Sequence, residues 1–330
     1  MPTITDDPPV DIQSDLTELH AALDENVPSR KIDRNLLIGT WNLCNFGSLT
    51  DEWVAGADAS PKRDLHSLRA IADVVRRFDV VAIQEVTGDL RAIRHMMRYL
   101  GDDWGLAMTD VTRGSDQGYE RLAFVFDRRT TQPSGLVGEI VVPDEQLADP
   151  SHDGIAPHAL TRQFARTPYA VSFRTGSETF VLVTLHVRYG AVDDRTPELR
   201  EIAEWLDDWA KQVHSWDHNL IALGDFNIDR MGDPRYEAFV STGLRTPEEL
   251  HSVPRTIYAD VDDPAAKFYD QIAWFTEGDS RPALSLDFRR AGSFDFRRVA
   301  LPRRELTMRQ LAHRISDHYP LWAEFELSPF

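Results

Sequence analysis

Cysteine is almost absent from this chain. Cys44 stands alone among 330 residues, which excludes an internal disulfide and fits a reducing compartment. Long hydrophobic runs are missing too: no apolar stretch approaches the roughly 18 residues of a membrane span. Residues 1–33 have neither the basic start nor the apolar centre of a signal peptide. These absences lead to the expectation of a soluble, cytoplasmic protein, with unconventional export left open. Positive charge is also short. Thirty-six Lys and Arg face 54 Asp and Glu, a net charge of −18, which counts against a module that simply coats duplex nucleic acid.

Core material is plentiful. With 42% hydrophobic and 10% aromatic residues, the chain can build one large α/β domain or two small ones. Charge is unevenly spread. Residues 1–33 hold eight acids against Arg30 and Lys31, and carry Pro8-Pro9 and Pro28 around a short helical pattern at 15–23. They read as an acidic arm outside the core, partly disordered at its tip, ahead of a single domain at 34–330. Residues 281–314 hold nine arginines against Asp287, Asp295 and Glu305. That segment reads either as a solvated face or as a phosphate-contacting rim.

The most informative features are four polar clusters at the ends of short apolar runs: Trp41-Asn42, Gln84-Glu85, Gly224-Asp225-Phe226-Asn227 and Ser316-Asp317-His318. Each follows or opens a run that reads as a buried strand, such as Val80-Val81-Ala82-Ile83 or Leu220-Ile221-Ala222-Leu223. Packing gives a core strand no reason to end in Asp, Glu, Asn or His. Several strands delivering hard oxygen ligands and proton carriers point to one cleft holding a divalent metal and a base.

The order of elements repeats. A strand ending at Asn42, a helix over 64–77 and a strand ending at Glu85 are echoed by a strand at 179–186, a helix at 196–214 opened by Thr196-Pro197-Glu198, and a strand ending at Asp225. A third helix is expected at 90–100. Further strands are expected at 122–127, 135–142, 168–173, 268–275 and 283–288, and an exposed loop at 143–157. This pattern predicts two mixed sheets packed face to face with helices outside.

As an ordered set, the four clusters resemble the motifs of the endonuclease/exonuclease/phosphatase superfamily. Tyr119-Glu120-Arg121, Leu185-His186, Tyr269-Asp270-Gln271-Ile272, Phe294-Asp295-Phe296 and Ser316-Asp317-His318-Tyr319-Pro320 most resemble pancreatic-type deoxyribonucleases. The resemblance covers residues 35–327. It implies a four-layer α/β/β/α sandwich and divalent-metal-dependent phosphodiester hydrolysis with Mg²⁺, or Mn²⁺ or Ca²⁺ in its place. The lead expectation is a DNA endonuclease, with nucleic acid as partner. The same scaffold also carries sphingomyelinases, inositol-phosphate phosphatases and RNA deadenylases. A lipid or small-molecule phosphoesterase is therefore the alternative, and a non-catalytic binding protein is a third reading. The loop at 105–118 is mostly polar, which does not favour a lipid.

Within that resemblance, Glu85 is the expected metal ligand, assisted by Asn42 and Asp317. His318 is the expected general base, oriented by Asp270, and His186 pairs with Glu120 near the leaving oxygen. Asp225 orients the water or binds metal, and Asn227 donates to a phosphoryl oxygen. Arg166 falls near the phosphate-binding arginine of the family, and Arg188 is a second candidate. Two family arginines thought to touch DNA are replaced here by Cys44 and Thr87, which puts duplex groove binding in doubt.

Overall fold

The computed structural model describes residues 1–111, 119–142, 163–164, 166–187, 192–211, 219–260, 262–263, 265–277 and 281–327. The expected loop at 143–157, half of the polar stretch at 105–118, the end of the helix expected at 196–214, and Arg188 lie wholly or partly outside them.

Two sheets form the centre. The first joins β1 (Asn35–Phe46), β2 (Val80–Val86), β3 (Trp104–Met108), β4 (Arg121–Asp127), β12 (Asp287–Ser293) and β13 (Leu321–Glu326) in the order β12-β13-β1-β2-β4-β3. The second joins β5 (Gln132–Glu139), β6 (Tyr169–Thr175), β7 (Glu178–His186), β8 (Leu220–Asp225), β10 (Asp270–Glu277) and β11 (Arg281–Pro282) in the order β11-β10-β8-β7-β6-β5, with β9 (Leu244–Arg245) also paired to β10. Each sheet has one parallel pair, β1 with β2 and β7 with β8, and these are the pairs the two-half pattern predicts.

Strand alternation explains the layers. Leu36 and Ile38 face the other sheet, where they join Phe124, Phe173, Leu182 and Ile272 in the inter-sheet core. Leu37 points the opposite way, into the core beneath the helices. There α1 (Val10–Asn26), α2 (Leu65–Val75) and α3 (Arg91–Leu100) cover the first sheet, while α4 (Val192–Lys211) and α5 (Pro234–Val240) cover the second. The result is the expected four-layer sandwich. Local signals start the helices: Asp64 caps α2 by accepting from the Ser67 amide at 2.9 Å, and Thr307 and Gln310 form a capping box on α6 (Met308–Ala312).

Three expectations are corrected. The acidic arm is not outside the core: α1 buries Ile12, Leu16, Leu19 and Leu23 against the α2 layer. These residues recur at helical spacing, and their burial outweighs the local excess of acid. Ion pairs then fix the helix, Arg303 to Asp15 and to Glu18, and Arg77 to Asp24. The strand expected at 283–288 starts instead at Asp287, because the Asn219 side chain holds Ser285 by its amide at 2.7 Å and its hydroxyl at 2.8 Å, bending the segment. Pro197 does not open its helix. α4 begins at Val192, so the proline lies inside it and withholds one N–H from the ladder.

Candidate active site

The polar strand ends meet at one edge of the sandwich. Register brings them there: Asn42 lies opposite Gln84 in the first sheet, while His186 and Asp270 both lie opposite Asp225 in the second. Backbone strain concentrates at the same place, with positive φ at Glu85 (62°), Asn227 (51°), Cys44 (44°) and Asn45 (54°). Gly224 has φ 136°, and a Cβ on it would lie 2.1 Å from the Leu185 carbonyl oxygen, so only glycine lets β8 approach β7 this closely.

Two carboxylate–histidine pairs are present. His318 Nδ1 is 2.7 Å from Asp270 Oδ2, and His186 Nδ1 is 3.0 Å from Glu120 Oε2. Each ring turns its other nitrogen towards the same atom, Asp225 Oδ2, at 3.9 Å from His318 Nε2 and 3.6 Å from His186 Nε2. Glu85 Oε1 lies 3.9 Å from His186 Nε2. The Asn42 side-chain nitrogen donates to both Glu85 Oε1 (3.0 Å) and Asp225 Oδ2 (3.1 Å), linking the two sheets.

Burial alone would lower His318, but the Asp270 charge and hydrogen bond, with Asp225 behind them, raise it well above the ordinary imidazole value. Burial pushes Asp270 up to about 6. Burial likewise opposes charge on Glu120, yet the His186 hydrogen bond and charge, and then Arg166, hold it at about 2. His186 is raised in turn, since Glu120, Asp225 and Glu85 outweigh its burial and the Arg166 charge.

Several of the expected site residues already have partners within the protein. Asn42 is placed as a donor between two carboxylates, and its oxygen accepts from the Cys44 amide at 3.0 Å. As an oxygen ligand it would have to turn over. Arg166 sets Nε and Nη2 2.6 and 3.1 Å from the two oxygens of Glu120, and its Nη1 makes no hydrogen bond among the described residues. An unpaired buried carboxylate would be costly, and the arginine fork meets that need. Asn227 donates its side-chain amide to the Val187 carbonyl at 2.7 Å, and its backbone N–H to Asp225 Oδ1 at 2.9 Å, so it braces Asp225. Asp317 flanks the mouth beside Cys44, whose thiol is pushed up to about 12 by burial and then by the charges of Asp317 and Glu85.

The donor chemistry fits a hard divalent cation. Glu85 and Asp225 converge through the shared Asn42 amide, and both approach His186 Nε2. Asp225, Asp270 and His318 also form a compact group, with ligand-capable atoms within 4.8 Å of one another. In that group Asp270 Oδ2 is committed to His318 Nδ1, while the two oxygens of Asp225 accept from the Asn42 side chain and the Asn227 amide.

Two bracing residues carried no sequence signal. Arg63, buried, donates to the carbonyls of Leu43, Cys44, Asn45, Arg314 and Ile315, tying the loop after Asn42 to the segment before Ser316. Arg255, also buried, donates to the Asp270 carbonyl at 2.7 Å. Ser316, noted only as part of its motif, donates to the Asn42 carbonyl at 2.5 Å and accepts from the His318 amide at 3.0 Å.

Comparison with known proteins gives the family and the fold. The family model described as "Endonuclease/Exonuclease/phosphatase family" matches residues 39–318. The mouse protein named Deoxyribonuclease-1-like 1 is 31% identical over 173 residues, covering 50% of this chain and 48% of that protein, and a rat protein of the same name is similar. The chain thus spans about half the length of the curated relatives it matches. Two solved structures share the fold at low identity. A Bacteroides thetaiotaomicron mannosyl-6-phosphatase superposes with TM-score 0.54 at 16% identity, covering 88% of this chain and 99% of that one. A zebrafish (D. rerio) TDP2 complexed with single-strand DNA product gives 0.51 at 14%, covering 88% and 98%.

Proposed function

Since the chain belongs to the endonuclease/exonuclease/phosphatase family, we propose that it is a divalent-metal-dependent phosphodiester hydrolase that cuts DNA internally. One observation carries the reading: two histidines, each paired at Nδ1 with a carboxylate, aim Nε2 at one oxygen of Asp225. Such convergence suits in-line displacement at phosphorus, with one imidazole on the attacking water and the other on the leaving oxygen. His318, oriented by Asp270, takes the proton of the water. His186, oriented by Glu120, is the proton donor to the leaving oxygen. Asp225, braced by Asn227, holds the water between them, and Glu85 and Asp225 would hold the cation. When bound, Mg²⁺ neutralises phosphate oxygens and opposes resting protonation of both imidazoles.

The deoxyribonuclease name of the curated relatives supports DNA as substrate. A small-molecule phosphoester is the second reading, because a phosphatase shares the fold. The test is opening of closed-circular DNA, supercoiled and single-stranded, in Mg²⁺ with and without EDTA. We expect chelator-sensitive opening that falls by about 10²–10⁴ in His318→Ala, the contribution of one positioned base. Opening in EDTA would remove the metal. Hydrolysis of bis(p-nitrophenyl) phosphate with all DNA left intact would move the substrate to the second reading.

A further inference from the structure

Among the described Phe, Trp and Tyr residues only two are exposed, Tyr119 at 67% and Tyr258 at 42%. Single exposed aromatics are ordinary on a protein surface. Here each is next in the chain to residues that support one histidine of the candidate active site. Tyr119 immediately precedes Glu120, the partner of His186. Its Cβ lies 3.9 Å from where a Cβ on Gly88 would be, just beyond Glu85. Tyr258 belongs to the other pair. The Ile257 amide donates to the Asp317 carbonyl at 2.9 Å, the Thr256 hydroxyl donates to the same oxygen at 2.6 Å, and Thr256 bridges His318. Lys267 donates to the Tyr258 carbonyl and sits 5.9 Å from the ring. The backbone next to Tyr258 is part of His318's own support, and the residue after Tyr119 is the carboxylate partner of His186.

The charge balance says what such rings are for. A duplex presents one phosphate per ~1.7 Å and keeps its base faces stacked inside, so its binding rests on many cations. This chain carries a net −18, and Asp260, Asp262 and Asp263 follow Tyr258. Of these, Asp263 is neutralised by Arg230. Stacking needs no counterion release and is open only to bases out of the duplex.

We propose that Tyr119 and Tyr258 are stacking platforms for unpaired nucleobases on the two sides of the scissile phosphate, which makes this chain selective for single-stranded nucleic acid. The proposal rests on the phosphodiester-hydrolase reading above and narrows its substrate.

The test is steady-state cleavage of a labelled single-stranded oligonucleotide and of the same strand annealed to its complement, in Mg²⁺. Wild type is expected to favour the single strand by about tenfold or more in kcat/KM. Tyr258→Ala is expected to raise KM for the single strand by about 5–100-fold, the range of one lost base–aromatic stack, with kcat within about threefold. Tyr258→Phe should stay near wild type, because the ring and not the hydroxyl does the binding. Tyr119→Ala is the second variant, with the same expectation. Equal or better cleavage of the duplex overturns the inference and leaves the hydrolase reading standing. An unchanged KM in both alanine variants, or a Phe variant as poor as Ala, does the same. Cleavage of neither form overturns both together.

Discussion

At the scale of single residues, the site is organised by who holds whom. Asp270 is fully buried, is spent on His318 Nδ1, and sits on a backbone carbonyl clamped by Arg255. Replacing it with Asn keeps size and a hydrogen-bonding oxygen but removes the charge that supports an imidazolium. Asp270→Asn should lower turnover by about 10²–10⁴ with little change in KM; activity within threefold of wild type would take Asp270 out of the reaction. The two histidine–carboxylate pairs were legible only through the family resemblance, which assigns each member to a short motif. The partner of Arg166 was not. Arg166 meets Glu120 across 46 residues of chain, and no spacing along the chain encodes that contact. Arg63 and Arg255 were equally invisible, since a buried arginine that braces carbonyls looks like any surface arginine in a sequence.

At the scale of elements, the seam between α1 and α2 is held by charge as well as by apolar packing. His66, on α2, is 1% exposed; its Nδ1 lies 3.0 Å from Arg304 Nη2 and its Nε2 3.6 Å from Asp15 on α1. Burial first, and then the Arg304 charge, lower it to about 4 from an ordinary 6.5. Between those values the unfolded chain binds the proton and the folded chain does not. His66 therefore contributes its full stability above pH about 6.5 and loses it as the pH falls towards 4, on the order of 3 kcal/mol in total. Urea unfolding at pH 7.5 and 5 should show this loss in wild type and a smaller one in His66→Asn, which keeps an acceptor and does not titrate. Equal losses in both would mean that His66 is not the source. The helix itself was half legible. Its apolar spacing gave 15–23, but acid and proline suggested an arm, and only the partner surface on α2 shows that the apolar stripe has somewhere to go.

At the scale of the whole molecule, the site is a joint between two sheets. Glu85 comes from the first and Asp225 from the second, and the Asn42 amide and the Gln84 bridge to Thr184, 2.9 Å, are among the polar links across. A cation held by both carboxylates binds the folded chain and not the unfolded one. Mg²⁺ at 100 times its Kd should add about 2.7 kcal/mol, raising Tm by several degrees, and Glu85→Gln should lose most of that shift. The same Tm rise in wild type and variant would place the ion elsewhere. The layer architecture was legible because buried strands and amphipathic helices alternate in a regular order. The order of strands within each sheet was not, since neighbours such as β1 and β13 are far apart in sequence and nothing local marks them as partners.

That last pairing sets a timetable. β13 lies between β1 and β12, and His318 stands three residues before it. While the chain is being translated, Asn42, Glu85, His186 and Asp225 emerge long before the strand that completes the first sheet and the histidine that completes the site. A nascent chain therefore holds the earlier members of the proposed site apart from His318 until the strand between β1 and β12 has emerged and closed the first sheet.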